Sequence, residues 1–201
     1  MPIQRQLRLD HITSFADAIF AFSITFMAIS INIPNLAQNL TQTQAIDKLL
    51  ESIPEFEIYA ISFFVIGVYW IAYHQIFNQI VNSDTTVTWL TLGFLFFITL
   101  IPLATNVEVG FGYQIVFVLF ALVLTIAGAL QTTIWLHATK NKLIDKDLTK
   151  REIHSISLGT IVPTVVYFLS VLVSFIDLQA AYYFWILIIP AKVILGKKYP
   201  S

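Results

Sequence analysis

The chain has 201 residues, a net charge of −1, charged residues at only 11% and hydrophobic residues at 57%, with a mean hydropathy of +0.78. A water-soluble domain carries about a quarter charged residues, so this chain cannot cover its own surface with polar groups. The near-neutral charge points away from nucleic acid, and the absence of cysteine removes disulfides, thiolate nucleophiles and thiolate metal sites.

In chain order, the first apolar run covers Ile12–Pro34 behind a short leader bearing Arg5 and Arg8. It is too long for a signal-peptide core, is interrupted by Asp17, and lacks a clean small-x-small cleavage site. Further runs cover Phe56–Gln79, Thr86–Thr105, Tyr113–Leu136, Ile156–Ile176 and Ala180–Leu195. At about 20 residues each they suit helices crossing a bilayer. Lipid leaves no partner for backbone polar groups outside the segment, which favours helices over short alternating strands. The expectation is a single all-α membrane domain over 1–201 with six transmembrane helices. Asn35–Glu55 is the longest connection, with a short interfacial helix expected over Gln44–Ile53 and ended by Pro54. His137–Arg151 reads as a polar loop or helix extension. Pro102, Pro163 and Pro190 are expected to kink or end helices, and Trp89, Trp135 and Trp185 to sit at the membrane interface.

Six spans place ten of the eleven basic residues on one side: Arg5, Arg8, Lys140, Lys142, Lys146, Lys150, Arg151, Lys192, Lys197 and Lys198. Lys48 alone falls opposite. The positive-inside rule then puts both termini in the cytoplasm. Asp47, Glu51, Glu55, Glu57, Glu108 and Asp177 collect on the other side, either as a solvated rim or as a cation-attracting vestibule.

Ionisable residues inside spans are costly and mark candidate sites. Asp17 lies about five residues into the first span and His74 about five before the end of the second, each roughly 8 Å inside the same face. They could meet, with Trp70 one turn deeper than His74, and such a pair could fix helix packing, serve gating, or both. Ser14, Ala18, Ala21, Thr25, Ala28 and Asn32 form a small, weakly polar stripe on the first helix. It is either a packing face or the lining of a narrow polar path flanked by Phe22, Phe26 and Ile29. His11, His74, His137 and His154 form no metalloprotease pair, and no Gly-x-Ser-x-Gly elbow, phosphate loop or dinucleotide fingerprint occurs. His137 and His154 sit at span ends beside the basic loop. No enzyme activity, cofactor or resident metal is expected.

The segment Phe15-Ala16-Asp17-Ala18-Ile19-Phe20-Ala21, with Thr25 eight residues after the aspartate, resembles the first-helix motif Arg-x-x-x-Phe-Ser-Asp of the transmembrane protein 175 potassium channels. Gly67-Val68-Tyr69-Trp70-Ile71-Ala72-Tyr73-His74-Gln75-Ile76-Phe77 resembles the family's second helix with its Trp-x-x-x-His core, and Leu100–Thr105 the end of its third. Together these cover roughly the first half of the chain. His11 stands at the family's arginine, Ala16 at its serine, and Phe22 where the family places a branched aliphatic constriction. The resemblance implies a bacterial-type homotetramer with the first helices lining a pore that passes potassium. Phe22 would form the narrowest ring, Phe26 and Ile29 the next, and Thr25 a hydroxyl layer. His11, Phe15, Asp17, Trp70 and His74 would hold the pore helix. The implied partners are potassium, the lipid bilayer and further copies of the chain, with potassium the only metal and a prokaryotic plasma membrane the location. The rival is a non-conducting relative with a sealed pore. A secondary transporter would show broken helices in two related halves, and neither is present in the sequence.

Overall fold

A computed structural model describes residues 2–29, 41–111, 113–188, 190 and 191, and the side chains at 2–8, 54–55 and 108–111 are outside the description. Among the described residues seven α-helices follow one another: α1 Pro2–Ile29, α2 Gln42–Glu51, α3 Ile53–Phe77, α4 Thr85–Phe111, α5 Gln114–Lys140, α6 Lys150–Ser174 and α7 Leu178–Phe184. A 3-10 turn, Trp185–Leu187, continues from α7. Five helices contain stretches long and apolar enough to cross a membrane: Leu9–Ile29, Phe56–Phe77, Thr85–Val107, Gln114–Lys140 and Lys150–Ser174. The chain is therefore an all-helical membrane protein. Of the sixth expected span, Ala180–Leu195, the structure shows α7 and its 3-10 turn, while Ile189 and residues 192–201 lie outside the described residues.

The helix ends are written in local chemistry. Thr41 with Gln44, and Thr149 with Glu152, form capping boxes that satisfy otherwise unpaired N–H groups at the starts of α2 and α6. Asp84 Oδ1 accepts from Val87 N at 2.7 Å at the start of α4, and Asp177 Oδ1 from Ala180 N at 3.1 Å at that of α7. The end of α5 closes with Leu143 N donating to Ala138 O at 2.9 Å and Lys142 N to Thr139 O at 3.3 Å. That is a Schellman turn, and it places Lys142 at φ 56°, a conformation usually left to glycine.

Aromatic rings tie the bundle together. Tyr73 of α3 lies 5.9 Å from both Phe20 of α1 and Phe94 of α4, while Tyr69 lies 6.1 Å from Phe94 and from Tyr167 of α6. Tyr69 also donates its hydroxyl to Leu124 O, and Gln131 Nε2 donates to Tyr69 O at 3.1 Å. Gly128 permits α5 and α6 to approach, because a Cβ there would overlap Thr164 Oγ1.

Two expectations are corrected, one on two tryptophans and one on Pro54. Trp135 is fully buried and donates Nε1 to Ser157 Oγ at 2.9 Å, and Trp185 is buried against Phe117 and Phe120 with Nε1 donating to Ser170 Oγ at 2.9 Å. Each indole finds a hydroxyl acceptor inside the bundle, so neither needs the interface that the exposed Trp89 is free to occupy. Pro54 does not end α2; Ser52 does, and Pro54 stands in the first turn of α3, where its missing N–H is no loss. Pro102 and Pro163 lie inside α4 and α6, which continue past them.

The α3–α4 and α5–α6 loops meet at one end of the bundle. Val81 N and Asn82 N both donate to Leu143 O, at 2.9 and 3.1 Å, and Asp145 N donates to Gln79 O at 2.9 Å, around an isolated bridge between Ile80 and Ile144. At the opposite end Gln114 Nε2 donates to Ser174 O at 2.9 Å.

Candidate functional site

Helix α1 commits one face to the rest of the chain. Ala16, Phe20, Ser23 and Met27 are buried, at steps of four, three and four that make a single stripe. The other faces are open. Phe22 is 62% exposed, and Phe15, Phe26 and Ile29 are exposed too, with the Phe22 and Phe26 rings stacked at 5.8 Å. Ser14, Ala18, Ala21, Thr25 and Ala28 are likewise exposed, whereas Asn32 lies outside the described residues. Among the described residues the small stripe is therefore not covered by its own chain.

Asp17 anchors this helix to α3. Its Oδ1 accepts from Trp70 Nε1 at 2.9 Å and lies 2.9 Å from His74 Nε2. Both partners converge on one oxygen because residues 70 and 74 are one helical turn apart, and their rings meet edge to face at 4.6 Å. The contact brings the N-terminal part of α1 to the end of α3 that leads into the bridged loops. Of the network expected from sequence, Asp17, Trp70 and His74 are brought together. Ala16, where the related motif has serine, is fully buried beside them. His11 is exposed and joins no hydrogen bond of this cluster among the described residues. Behind α1, Ser23 Oγ and Tyr73 Oη are buried without a hydrogen-bond partner among the described residues.

Thr25 sits one turn beyond Ala21 and donates Oγ1–H to Ala21 O at 2.8 Å. With its proton committed to the helix, the exposed hydroxyl oxygen keeps acceptor capacity.

A second polar contact lies at the bridged-loop end. Asp84 Oδ2 is 2.7 Å from His137 Nε2, while Asp84 Oδ1 caps α4. Partial burial pushes the Asp84 carboxyl up, but hydrogen bonds from His137 and from Val87 N, with the charge of His137, outweigh it and hold the carboxyl below its usual range. The cap was legible in Ser83-Asp84-Thr85-Thr86 before an apolar run. The pairing was not, because it joins residues 53 apart. Among the described residues, no group of three or more His, Cys, Asp or Glu side chains could hold a metal ion.

This geometry defines a class: a bundle of membrane-spanning helices whose first helix is pinned by a carboxylate near one end and leaves Phe22, Thr25 and a small-residue stripe exposed among the described residues. Within that class, residues 11–102 match the model of the family described as endosomal/lysosomal potassium channel TMEM175. A potassium channel of a Chryseobacterium species is 29% identical over 93 residues, which are 46% of this chain and 45% of that one, so the match spans about half of each. A potassium channel of Streptomyces collinus is 24% identical over 64% of both chains. Among solved structures, a TMEM175 homologue from Chamaesiphon minutus, titled a lysosomal potassium-selective channel homologue, superposes with a TM-score of 0.79 over 96% of this chain and 99% of that one, at 18% identity. A threonine-to-alanine variant of the potassium channel MtTMEM175 gives 0.62 over 92% and 91%, at 20% identity. At such identities the superpositions establish the fold. The family is one of potassium channels, not of enzymes.

Proposed function

We propose that the chain is one subunit of a homotetrameric, potassium-preferring cation channel in a prokaryotic plasma membrane, with six spans, both termini cytoplasmic and α1 lining the pore. The observation that carries the reading is the division of α1 into one packed face and an open remainder bearing Phe22, Thr25, Phe26 and Ile29. Four such helices around an axis would cover the small-residue stripe that one chain leaves bare. Phe22 forms the narrowest ring, an apolar constriction that excludes water until it dilates. Thr25 supplies oxygen ligands one turn further on. Asp17, held by Trp70 and His74, sets the rotation of α1 and therefore which residues face the axis, with Phe15 and His11 nearer its start.

Potassium and sodium flux from liposomes, with assembly checked by mass in mild detergent, tests this. Four subunits are expected. Phe22→Ala should widen and wet the path, raising flux and weakening the preference for potassium. Thr25→Ala should alter the preference more than the total flux. An assembled Phe22→Ala protein with unchanged flux removes Phe22 from the lining. Failure of wild type and both variants to pass any cation favours the sealed relative, a reading that the bulk of the stacked Phe22 and Phe26 rings also fits.

A further inference from the structure

The α5–α6 loop carries Lys140, Lys142, Lys146 and Lys150, all exposed, and none of their side chains is in an ion pair among the described residues. Three nearby carboxylates are committed to a turn, a cap and a histidine. Asp145 Oδ1 accepts from Asp147 N at 3.0 Å, Glu152 Oε2 accepts from Thr149 N and Oγ1 at 2.8 and 2.7 Å, and Asp84 holds His137. With Asp147 counted as well, residues 140–152 carry five basic side chains against three acidic ones, a local excess of positive charge. The loop is also fixed. Leu143 O takes two N–H groups from the α3–α4 loop, Asp145 N is bound to Gln79 O, and the Schellman turn locks Lys142. Its position is set as well, because one apolar span ends at Lys140 and the next begins at Lys150.

We infer that this loop is a docking surface for anionic phospholipid headgroups at the bilayer boundary. Lysines within a turn of a span lie at headgroup depth, where each gains from a negatively charged lipid surface. A loop already held in shape loses little freedom when the phosphates arrive, which favours retained lipid over a transient counter-ion cloud. The inference rests on the membrane fold and not on ion conduction, so it stands or falls separately from the channel reading.

The test is native mass spectrometry of the purified full chain with phosphatidylglycerol or phosphatidylcholine at matched concentration, together with melting temperature in each lipid. Wild type is expected to retain phosphatidylglycerol about tenfold better. The Lys142→Gln, Lys146→Gln, Lys150→Gln triple variant should bring the two lipids to near parity while melting normally in phosphatidylcholine. Lys48→Gln, in the last turn of α2, should keep the wild-type preference. Equal retention of both lipids by wild type, or an undiminished preference in the triple variant, overturns the proposal. So does inorganic phosphate alone raising the melting temperature as far as phosphatidylglycerol does. Should the triple variant not fold, salt titration of wild type decides: the preference must fall as ionic strength rises, and its persistence overturns the assignment.

Discussion

Removing the Asp17 carboxylate should expose how much of α1's attachment depends on a single oxygen. Asp17 Oδ1 serves both Trp70 Nε1 and His74 Nε2, each at 2.9 Å. A hydrogen bond is worth about 0.5–1.5 kcal/mol net, more when charged. His74 and Asp17 are 28% and 47% exposed, so solvent replaces part of what is lost and each bond counts for about 1 kcal/mol, the middle of that range and not the charged value. Asp17→Ala should therefore cost about 2 kcal/mol, or roughly 4–8 °C for a chain of this size. Asp17→Asn keeps an amide oxygen for both donors and should cost about 1 kcal/mol or less. In a Trp70→Phe, His74→Phe background the donors are gone while the rings remain, and Asp17→Ala should then cost nearly nothing. The coupling of about 2 kcal/mol is read from denaturation in one fixed detergent, with oligomer mass checked for every variant. Equal costs for Asp17→Ala in the two backgrounds would refute the reasoning.

Gly128→Ala should destabilise by about 1–3 kcal/mol through overlap with Thr164, whereas Gly67→Ala, with open space around it, should gain up to about 1 kcal/mol; thermal melts compare the two. Lys142→Gly should stabilise by roughly 0.5–1 kcal/mol, because glycine adopts the positive φ at no steric cost, and a loss of stability would show that the lysine side chain contributes more than its backbone strain costs. The Asp84 carboxyl is held low in the folded chain, so its stabilisation is present above the unfolded value of about 3.9 and is lost as pH falls through the lower folded value. Asp84→Asn should flatten that acid limb in melting curves taken from neutral to acid pH, and an unchanged limb would assign it to other groups.

The five spans were legible because lipid leaves one solution for long uncharged runs, and α2 because its apolar residues recur at helical spacing. Asp17 and His74 could be paired because their depth follows from counting residues along two helices. Tertiary contacts were less accessible. An indole looks the same in sequence whether its N–H reaches water, as the interfacial reading of Trp135 assumed, or a buried serine such as Ser157. Nor does a stripe of small residues state whose surface it meets: Ala18 and Ala21 could have faced α3 or α4 and instead face outward. His137 appeared to be one more polar residue at a span end until the fold brought Asp84 to it.

The short antiparallel contact between the α3–α4 and α5–α6 loops bears on how the chain enters the membrane. With α4 and α5 crossing in opposite directions, segments some sixty residues apart in sequence emerge on the same side, where Val81 N and Asn82 N reach Leu143 O. A chain in which either helix failed to cross would hold the two loops a bilayer's thickness apart, about 30 Å. None of these bonds could then form. The bridge therefore ties the ends of four helices on one side of the bundle, and its bonds would have to break before α4 or α5 alone could invert.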